Sequence, residues 1–444
     1  MISIEEAQRI ILSYITQLET EQVSVFQGLN RVTPENHIAP WDIPPADNSA
    51  MDGYAFCHAE LCDDHMKVAG FLPAGKTCSA PPPPGEAIKI MTGAPIPPGC
   101  DTVIPIEDVT AAGDQITICK AVKQGSHVRK RGEDIHQEDV VIAAGTLLRP
   151  QEIGMLSAMG RTSLQVYRKA RVAILATGDE LLEPGVAPFP GKIINSNSYS
   201  LAAQVLDAGG EPIMLGIAPD TLEDTCEKIR SGLNADVIVI SGGVSVGDCD
   251  FVKAAILKLG GVISFWKVDM KPGKPLAFGM LQGRPIFALP GNPAAAMVSF
   301  ELFVRPCLLK AMGHQKVLRS KVKAVIQAST ANKGDRPHLV RGIVTKHSDG
   351  YRVSTTGSQS SGRLSSFTQG NGLVRLAPEA SYSAGDTVEV LLLDRSFGMT
   401  ELLPMPGFLQ PRANLPAASA EGVPQPGLRQ PPVRRGPEQR GQLC

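Results

Sequence analysis

The feature that most constrains the fold is an alternation of short apolar runs and helical runs between residues 169 and 316. The chain alternates between predicted strands, in RVAILATGDE, EPIMLGI, DVIVISGG and GVISFWKV, and predicted helices, in SLAAQVLDAGG, LEDTCEKIRSGL and FVKAAILKLGG. Parallel strands need a crossover connection between them, and single helices supply it here. The pattern therefore predicts a doubly wound α/β sheet.

A chain of 444 residues exceeds what one hydrophobic core usually supports, which favours several domains. Residues 41–139 are dense in proline and glycine and contain short apolar runs, so we expect a small β-domain there. Residues 317–396 alternate in polarity between turn glycines and predict a C-terminal β-domain. The central α/β domain then covers 169–316, which gives a multidomain α/β plus β protein.

The remaining ordered segments, 1–40 and 140–168, predict a helical linker or arm. Ser3 and Glu6 have the spacing of a capping box, which marks the start of an amphipathic helix. A second helix is expected over 147–159, with Pro150 in its first turn, and it could pack on the first helix. Residues 397–444 are rich in proline, glutamine, arginine and glycine and predict a disordered tail.

Composition excludes several classes of function. The net charge is −1, which provides no electrostatic reason to bind nucleic acid or an anionic membrane. The nine cysteines form no CxxC pair, and neither a signal peptide nor a long apolar span is apparent. We therefore expect a cytoplasmic protein with reduced thiols, whose anionic ligands are bound by local charge.

Three loops follow predicted strands of the α/β domain: 177–180, 241–250 and 290–293. Ligands of such sheets bind where the carboxyl ends of the strands meet, and glycines there let backbone N–H groups approach phosphate. The acidic side chains of Glu180, Asp220, Asp248 and Asp250 would surround this surface. Carboxylates beside phosphate indicate Mg²⁺, although Asp220 and Asp250 could instead only cap helices.

A second charged element is WKVDMKPGKPLAFG, which places Lys267, Lys271 and Lys274 within eight residues. The glycine and proline between the last two favour a turn. The three ammonium groups could bind an oxyanion together; the alternative is a lysine-rich surface turn.

Eight ordered motifs resemble those of one family. They are DNSAMDGYA (47–55), IMTGAPIPPGCD (90–101), RKRGEDI (129–135), ATGDEL (176–181), SGGVSVGDCDF (241–251), KPGKP (271–275), LPGNP (289–293) and TTGSQSSG (355–362). Over residues 1–396 the chain resembles the molybdopterin molybdenumtransferase (MoeA) family, which includes the gephyrin E domain.

The resemblance implies a homodimer of four-part protomers that insert molybdenum from molybdate into adenylylated molybdopterin, with Mg²⁺, and release AMP. It implies that residues of the small β-domain reach the cleft from the partner protomer: Asp52, Thr92, Arg129 and Asp134. It places nucleotide, phosphate and Mg²⁺ at Glu180, Asp220, Ser245 and Asp250. It places molybdate at Lys271, Lys274, Arg341 and Ser361, with Lys267 as a further ligand contact.

The chain departs from the family pattern at two positions. Ala295 stands in PGNPAA where many relatives have a serine, and Lys130 interrupts an arginine triplet. Two other functions stay open: a molybdopterin adenylyltransferase, which uses a similar α/β domain, and a gephyrin-like scaffold that binds receptor peptides. The partner adenylyltransferase and acceptor molybdoenzymes are further expected partners.

Overall fold

The computed structural model of the chain describes residues 1–244 and 251–393. The predicted tail, together with Ser245, Asp248 and Asp250, lies outside the described residues. None of the described helices has both the length and the apolar character that a membrane crossing requires.

The chain begins with helix α1 (Ile4–Tyr14), whose cap agrees with the sequence pattern: the Ser3 hydroxyl oxygen accepts a hydrogen bond from Glu6 N at 3.1 Å. The strands that follow are short: β1 (Thr20–Ser24), β2 (His37–Ile38) and β3 (Asn48–Ser49). A 3₁₀ turn covers Phe26–Gly28.

A six-stranded sheet follows in the order β7-β4-β6-β5-β9-β8. Its strands are β4 (Gly53–Phe56), β5 (His65–Leu72), β6 (Glu86–Ile90), β7 (Thr102–Pro105), β8 (Val109–Ala112) and β9 (Gln115–Ile118). Strands β5 and β6 are parallel, and the other neighbours are antiparallel. This sheet is the β-structure expected from the dense prolines and glycines.

The next segment contains strands that pair with β1, β2 and β3. Its elements are β10 (Val128–Arg129), β11 (Val140–Ile142), helix α2 (Pro150–Ala158) and β12 (Ser163–Tyr167). Strands β10, β11 and β12 pair with β3, β2 and β1, respectively. The segments expected to be helical therefore contain short paired strands in addition to the two helices.

The suggested packing of α2 on α1 is wrong. Helix α2 buries Leu156 in a small core with Val25 and Leu164. Helix α1 instead buries Ile4 and Ile11 in the core of the large central sheet. The wide apolar face of that sheet accommodates the apolar stripe of α1.

The central domain contains the predicted alternation. Its elements in chain order are β13 (Arg171–Thr177), β14 (Leu181–Leu182), β15 (Ile193–Ile194), α3 (Ser196–Asp207), β16 (Glu211–Ala218), α4 (Leu222–Ser231), β17 (Val237–Ser241), α5 (Phe251–Lys258), β18 (Val262–Lys267), β19 (Pro275–Leu281), β20 (Arg284–Leu289), α6 (Pro293–Ser299) and α7 (Arg305–Ala311). One turn of π-helix, Phe300–Val304, joins α6 to α7.

The central sheet has the order β16-β13-β17-β20-β19-β18. Its first four strands are parallel, as the alternation predicts. Strands β18 and β19 are antiparallel to their neighbours, which the sequence pattern did not indicate. The reason is the two-residue turn between β19 and β20, in which Gln282 and Gly283 both have positive φ, so no crossover exists there.

Side chains of the central strands alternate between two apolar layers. Val172 and Ile174 face the layer that contains α1, α3 and α7, whereas Ala173 and Leu175 face α4 and α5. Both faces are covered by helices, which explains why the strands read as continuous apolar runs.

Residues 321–392 form a closed barrel, β21-β24-β23-β25-β27, with a separate β22–β26 pair. The elements are β21 (Lys321–Ile326), β22 (Thr330–Asn332), β23 (His338–His347), β24 (Gly350–Thr355), α8 (Ser365–Gln369), β25 (Gly372–Leu376), β26 (Ala380–Tyr382) and β27 (Thr387–Leu392). Lys271 joins the barrel to the central domain: its N–H donates to Pro337 O and its carbonyl accepts from Leu339 N.

Candidate functional site

The carboxyl ends of the central strands enclose a cavity of about 750 Å³. The register pairs Ala176 with Ser241 and Ser241 with Leu289, so the loops after β13, β17 and β20 leave the sheet at the same edge. All three predicted loops contribute to the wall, and the first turn of α3 completes it. The sequence-based placement of a ligand site at this edge agrees with the cavity.

Gly242 lies where backbone segments approach each other closely. Its φ is +99°, and a Cβ atom there would lie 2.6 Å from the carbonyl oxygen of Thr177. Only glycine combines this conformation with this approach. The glycines of the loop thus bring the backbone to the cavity wall, as predicted.

Two asparagines of the first turn of α3 supply polar groups that sequence reasoning missed. Asn197 Nδ2 donates to Ser241 Oγ and to Gly291 O, which leaves its buried Oδ1 without a partner among the described residues. Asn195 Oδ1 accepts from Ser198 N, and its buried Nδ2 has no partner within 1–244 and 251–393. Both asparagines line the cavity, so two unsatisfied amide atoms lie in its wall. In the sequence, the polar run INSNS was the signal that could have indicated these two asparagines.

The acidic part of the wall contains Glu180 and Asp220. Asp220 and Asp179 are linked reciprocally, because each backbone N–H donates to the carboxylate of the other, at 3.1 and 3.3 Å. Within 1–244 and 251–393, no three His, Cys, Asp or Glu side chains are arranged to enclose an ion. Two carboxylates nevertheless fit Mg²⁺, which is often bound by one or two carboxylates together with ligand phosphates and water.

A second cavity, of about 480 Å³, lies beside the KPGKP turn. Lys271 and Lys274, two of the predicted oxyanion contacts, line it, and Ser360 and Ser361 come from the barrel. Ala295 also lines it and carries no hydroxyl group. Ammonium and hydroxyl groups together can replace the hydration shell of an oxyanion.

The two cavities share wall residues. Pro275, Pro290 and Asn292 line both of them, so the acidic cavity and the basic cavity are adjacent. The barrel segment 359–364 reaches both cavities, through Ser361 in one and Gly362 in the other. A ligand that carries phosphate at one end could thus meet an oxyanion at the other.

Two predicted ligand contacts lie elsewhere. Arg341 is fully buried and lines neither cavity; its Nη2 donates to Ser360 O and its Nε donates to Ser366 Oγ, both at 3.0 Å. Arg341 therefore fixes the position of the segment that contains Ser360 and Ser361. Lys267 is exposed at the end of β18, also outside both walls.

The predicted residues of the small β-domain do not line either cavity of the same chain. The structure does bring Asp52 and Thr92 together, because Asp52 Oδ1 accepts from both N and Oγ1 of Thr92. Arg129 lies on β10 and Asp134 lies in the loop that follows, where Asp134 N donates to Ile43 O. These side chains are presented to solvent in the single chain.

Sequence reasoning also missed two basic groups of the second cavity, Arg336 and His338. Arg336 forms ion pairs with Asp269 and Asp335 at 3.7 and 3.5 Å. Both residues stand at the start of β23, in RPHLVRG. The glycine and proline of KGDRP mark a turn here but give no indication of its partner; the pairing of the barrel with Lys271 brings the segment to the cavity.

Comparisons with known proteins cover nearly all of the described chain. Residues 2–160 match the "MoeA N-terminal region (domain I and II)", residues 173–310 match the "Probable molybdopterin binding domain", and residues 323–393 match the "MoeA C-terminal region (domain IV)". The architecture is thus multidomain, with a central domain of the molybdopterin-binding type.

Curated relatives and solved structures agree with these matches. The chain is 36% identical to the molybdopterin molybdenumtransferase of Haemophilus influenzae, over 88% of this chain and 98% of the relative. It is 35% identical to molybdopterin molybdenumtransferase 2 of Mycobacterium tuberculosis, over 88% and 99%. The crystal structure of the molybdopterin biosynthesis moeA protein from Pyrococcus horikoshii OT3 matches with a TM-score of 0.74 and 30% identity, over 88% and 100%. The chain belongs to the molybdopterin molybdenumtransferase (MoeA) family.

Proposed function

We propose that this chain inserts molybdenum from molybdate into adenylylated molybdopterin, which forms the molybdenum cofactor and releases AMP. The observation that carries the proposal is the shared wall of Pro275, Pro290 and Asn292 between an acidic and a basic cavity. The reaction needs both environments at once, because a phosphate-bearing pterin and a metal oxyanion must meet. The family of the chain supports the same reaction.

In this proposal the larger cavity binds the adenylylated pterin. Asn195 and Asn197 line this cavity, and the amide donors and acceptors of asparagine suit a heterocyclic edge. Glu180 and Asp220 would hold Mg²⁺ together with the phosphates, with Asp250 as a further sequence-based candidate. When bound, Mg²⁺ would neutralise the charge that develops on the departing AMP phosphate.

The smaller cavity binds molybdate in this proposal. Lys271 and Lys274 provide positive charge, and the Ser361 hydroxyl provides a neutral hydrogen bond. Arg341 acts as a positioning residue, because it fixes the segment that carries Ser360 and Ser361. Lys267 and Ser245 remain predicted contacts.

The working enzyme in this proposal is a homodimer in the cytoplasm. Asp52, Thr92, Arg129 and Asp134 line neither of the two cavities that the described part of their own chain forms, so they would complete the site of the partner protomer. An adenylyltransferase would supply the substrate, and molybdoenzymes would accept the product.

A product assay tests the function. The full chain is incubated with adenylylated molybdopterin, Mg²⁺ and molybdate, and AMP is measured. We expect AMP release that depends on molybdate. Release of pyrophosphate from ATP and molybdopterin would indicate an adenylyltransferase instead, and the absence of both products would favour a scaffold.

A further inference from the structure

His338 is a buried polar side chain that the proposed chemistry has not used. It opens strand β23, its side chain is 8% exposed, and it lines the smaller cavity. Its Nε2 is buried and has no hydrogen-bond partner among the described residues. A buried polar atom without a partner costs free energy, so a ligand that supplies one is favoured.

The charges around His338 are positive. Lys271 lies beside it through the backbone pairing of the two segments, and Lys274 lines the same cavity from the turn. On its own side of the barrel, Arg336 lines the cavity while paired with Asp269, and Arg341 lies behind. Burial, Lys271 and Arg341 lower the pKa of His338 to about 4. The imidazole is therefore neutral at pH 7 in the empty cavity.

We propose that His338 is a further oxyanion-binding residue, and that it takes up a proton from solvent when a tetrahedral dianion enters the smaller cavity. The inference rests on the proposed function only in taking molybdate as the natural dianion. The neutral ring can donate one N–H to the anion at once, and protonation makes both ring nitrogens donors.

The direction of the proton transfer follows from the charges. The dianion offsets the field of Lys271 and Arg341 that disfavours the imidazolium, so binding raises the pKa of His338. A group whose pKa is higher in the complex binds its ligand more tightly as pH falls. Molybdate affinity should therefore increase from pH 8 to pH 6, and each binding event should consume part of a proton.

The test is calorimetric titration of the full chain with sodium molybdate alone, without pterin. Titrations at pH 6.5 in two buffers of different ionisation enthalpy give the number of protons taken up. We expect uptake of roughly half a proton by the unmodified chain, given the size of shift that a neighbouring charge causes. His338→Gln, which keeps a neutral donor but cannot titrate, should bind with no uptake and no dependence on pH.

A second variant separates the contribution of the hydrogen bond to affinity from the uptake of a proton. His338→Ala should also lose uptake, and its Kd for molybdate should rise by roughly three- to tenfold, as one lost hydrogen bond predicts. The matched control is His347→Ala at the exposed far end of the same strand, which should keep both affinity and uptake. Melting temperatures confirm that each variant is folded.

Two results would overturn the inference. One is an unmodified chain that binds molybdate without proton uptake between pH 6 and pH 7, which needs no variant. The other is a folded His338→Gln protein that retains full uptake. Molybdate-dependent AMP release by the unmodified chain is measured in parallel. If that release occurs while uptake is absent, only the inference fails; if uptake occurs without AMP release, only the proposed function fails.

Discussion

The Asp52 carboxylate accepts two hydrogen bonds from Thr92, one from the hydroxyl group and one from the backbone N–H, each 2.7 Å long. The two residues lie 40 positions apart, and both belong to motifs that the family shares. These bonds lower the pKa of Asp52, the hydroxyl contributing more than the backbone. The Asp52 carboxylate is thus kept ionised and oriented, although neither residue lines one of the two cavities described above.

Thr92→Val should make the stability of the protein less sensitive to acid. A carboxyl group whose pKa is lowered by folding stabilises above its unfolded pKa, and this contribution is lost as pH falls through the lower folded value. The variant should melt at a lower temperature than the unmodified chain at pH 6, and the difference should close toward pH 3. Thermal melts across this range measure it. Thr110→Val, an exposed control on β8, should give a difference that does not change with pH.

Subunit mixing tests whether Asp52 serves the partner's cavities. At a molybdate concentration well below that for half-maximal release, Asp52→Ala and Lys271→Ala should each abolish most AMP release, because one removes the small-domain group and the other the oxyanion group. After exchange, half of the dimers are mixed and have one intact site each, so about a quarter of the activity should return. Mixing Asp52→Ala with Thr92→Ala should restore nothing. Equal recovery in both mixtures would contradict a shared site.

Replacing a charged residue in one cavity should change a different requirement of the reaction from replacing one in the other cavity. Lys271→Ala should raise the molybdate concentration for half-maximal AMP release by roughly tenfold or more, as the loss of a charged hydrogen bond predicts. Asp220→Asn should instead raise the Mg²⁺ requirement, and a chelator should stop AMP release without preventing molybdate binding.

A two-way titration of molybdate and Mg²⁺ separates these effects. The exposed controls Lys346→Ala and Glu227→Gln should behave as the unmodified chain. If excess molybdate rescued Asp220→Asn but not Lys271→Ala, the roles assigned to the two cavities would be wrong.

Ala295→Ser should improve molybdate binding. Ala295 lines the smaller cavity at the start of α6, and a hydroxyl there adds one donor toward the oxyanion. One neutral hydrogen bond is worth about 1 kcal/mol, so the half-saturating molybdate concentration should fall about two- to fivefold. Ala296→Ser, buried on the same helix but outside the cavity wall, should bring no gain.

Gly242→Ala should destabilise the protein and damage the larger cavity. The new Cβ would meet the Thr177 carbonyl at 2.6 Å, in addition to the strain of a positive φ, which costs about 1–3 kcal/mol. Gly260→Ala is the matched control, because Gly260 has a φ of +82° and open space around it. Urea unfolding should show a larger loss for Gly242→Ala, with weaker nucleotide binding at temperatures where the protein is folded.

Local patterns predicted the parallel strands and the ligand edge because these features depend on nearby residues. Apolar runs of five to seven residues between helices leave few alternatives to a parallel sheet, and Gly242 marks a close approach directly. The antiparallel placement of β18 and β19 was missed because Gln282-Gly283 is a weak turn signal, unlike Asn-Gly.

The positions of His338 and Arg341 depend on pairing between segments that are distant in the sequence, which local sequence patterns do not indicate. His338 reaches the oxyanion cavity only because Lys271 pairs with the first residues of β23. Arg341, which the family resemblance places at molybdate, lies on the same strand and is fully buried. No spacing rule places a barrel strand against a distant turn, so such positions require the fold.

Helix α1 contacts a part of the chain that is made much later. Gln8 Nε2 donates at 2.9 Å to Leu302 O, a carbonyl 294 positions away. Pro306 has no N–H to satisfy that carbonyl, so the side chain of Gln8 replaces the missing helical bond. During synthesis, the apolar face of α1 must therefore remain uncovered until the ribosome has produced α7. A fragment that ends near residue 160, where the match to the MoeA N-terminal region ends, would retain this uncovered face. Such an N-terminal fragment should aggregate unless α1 is removed.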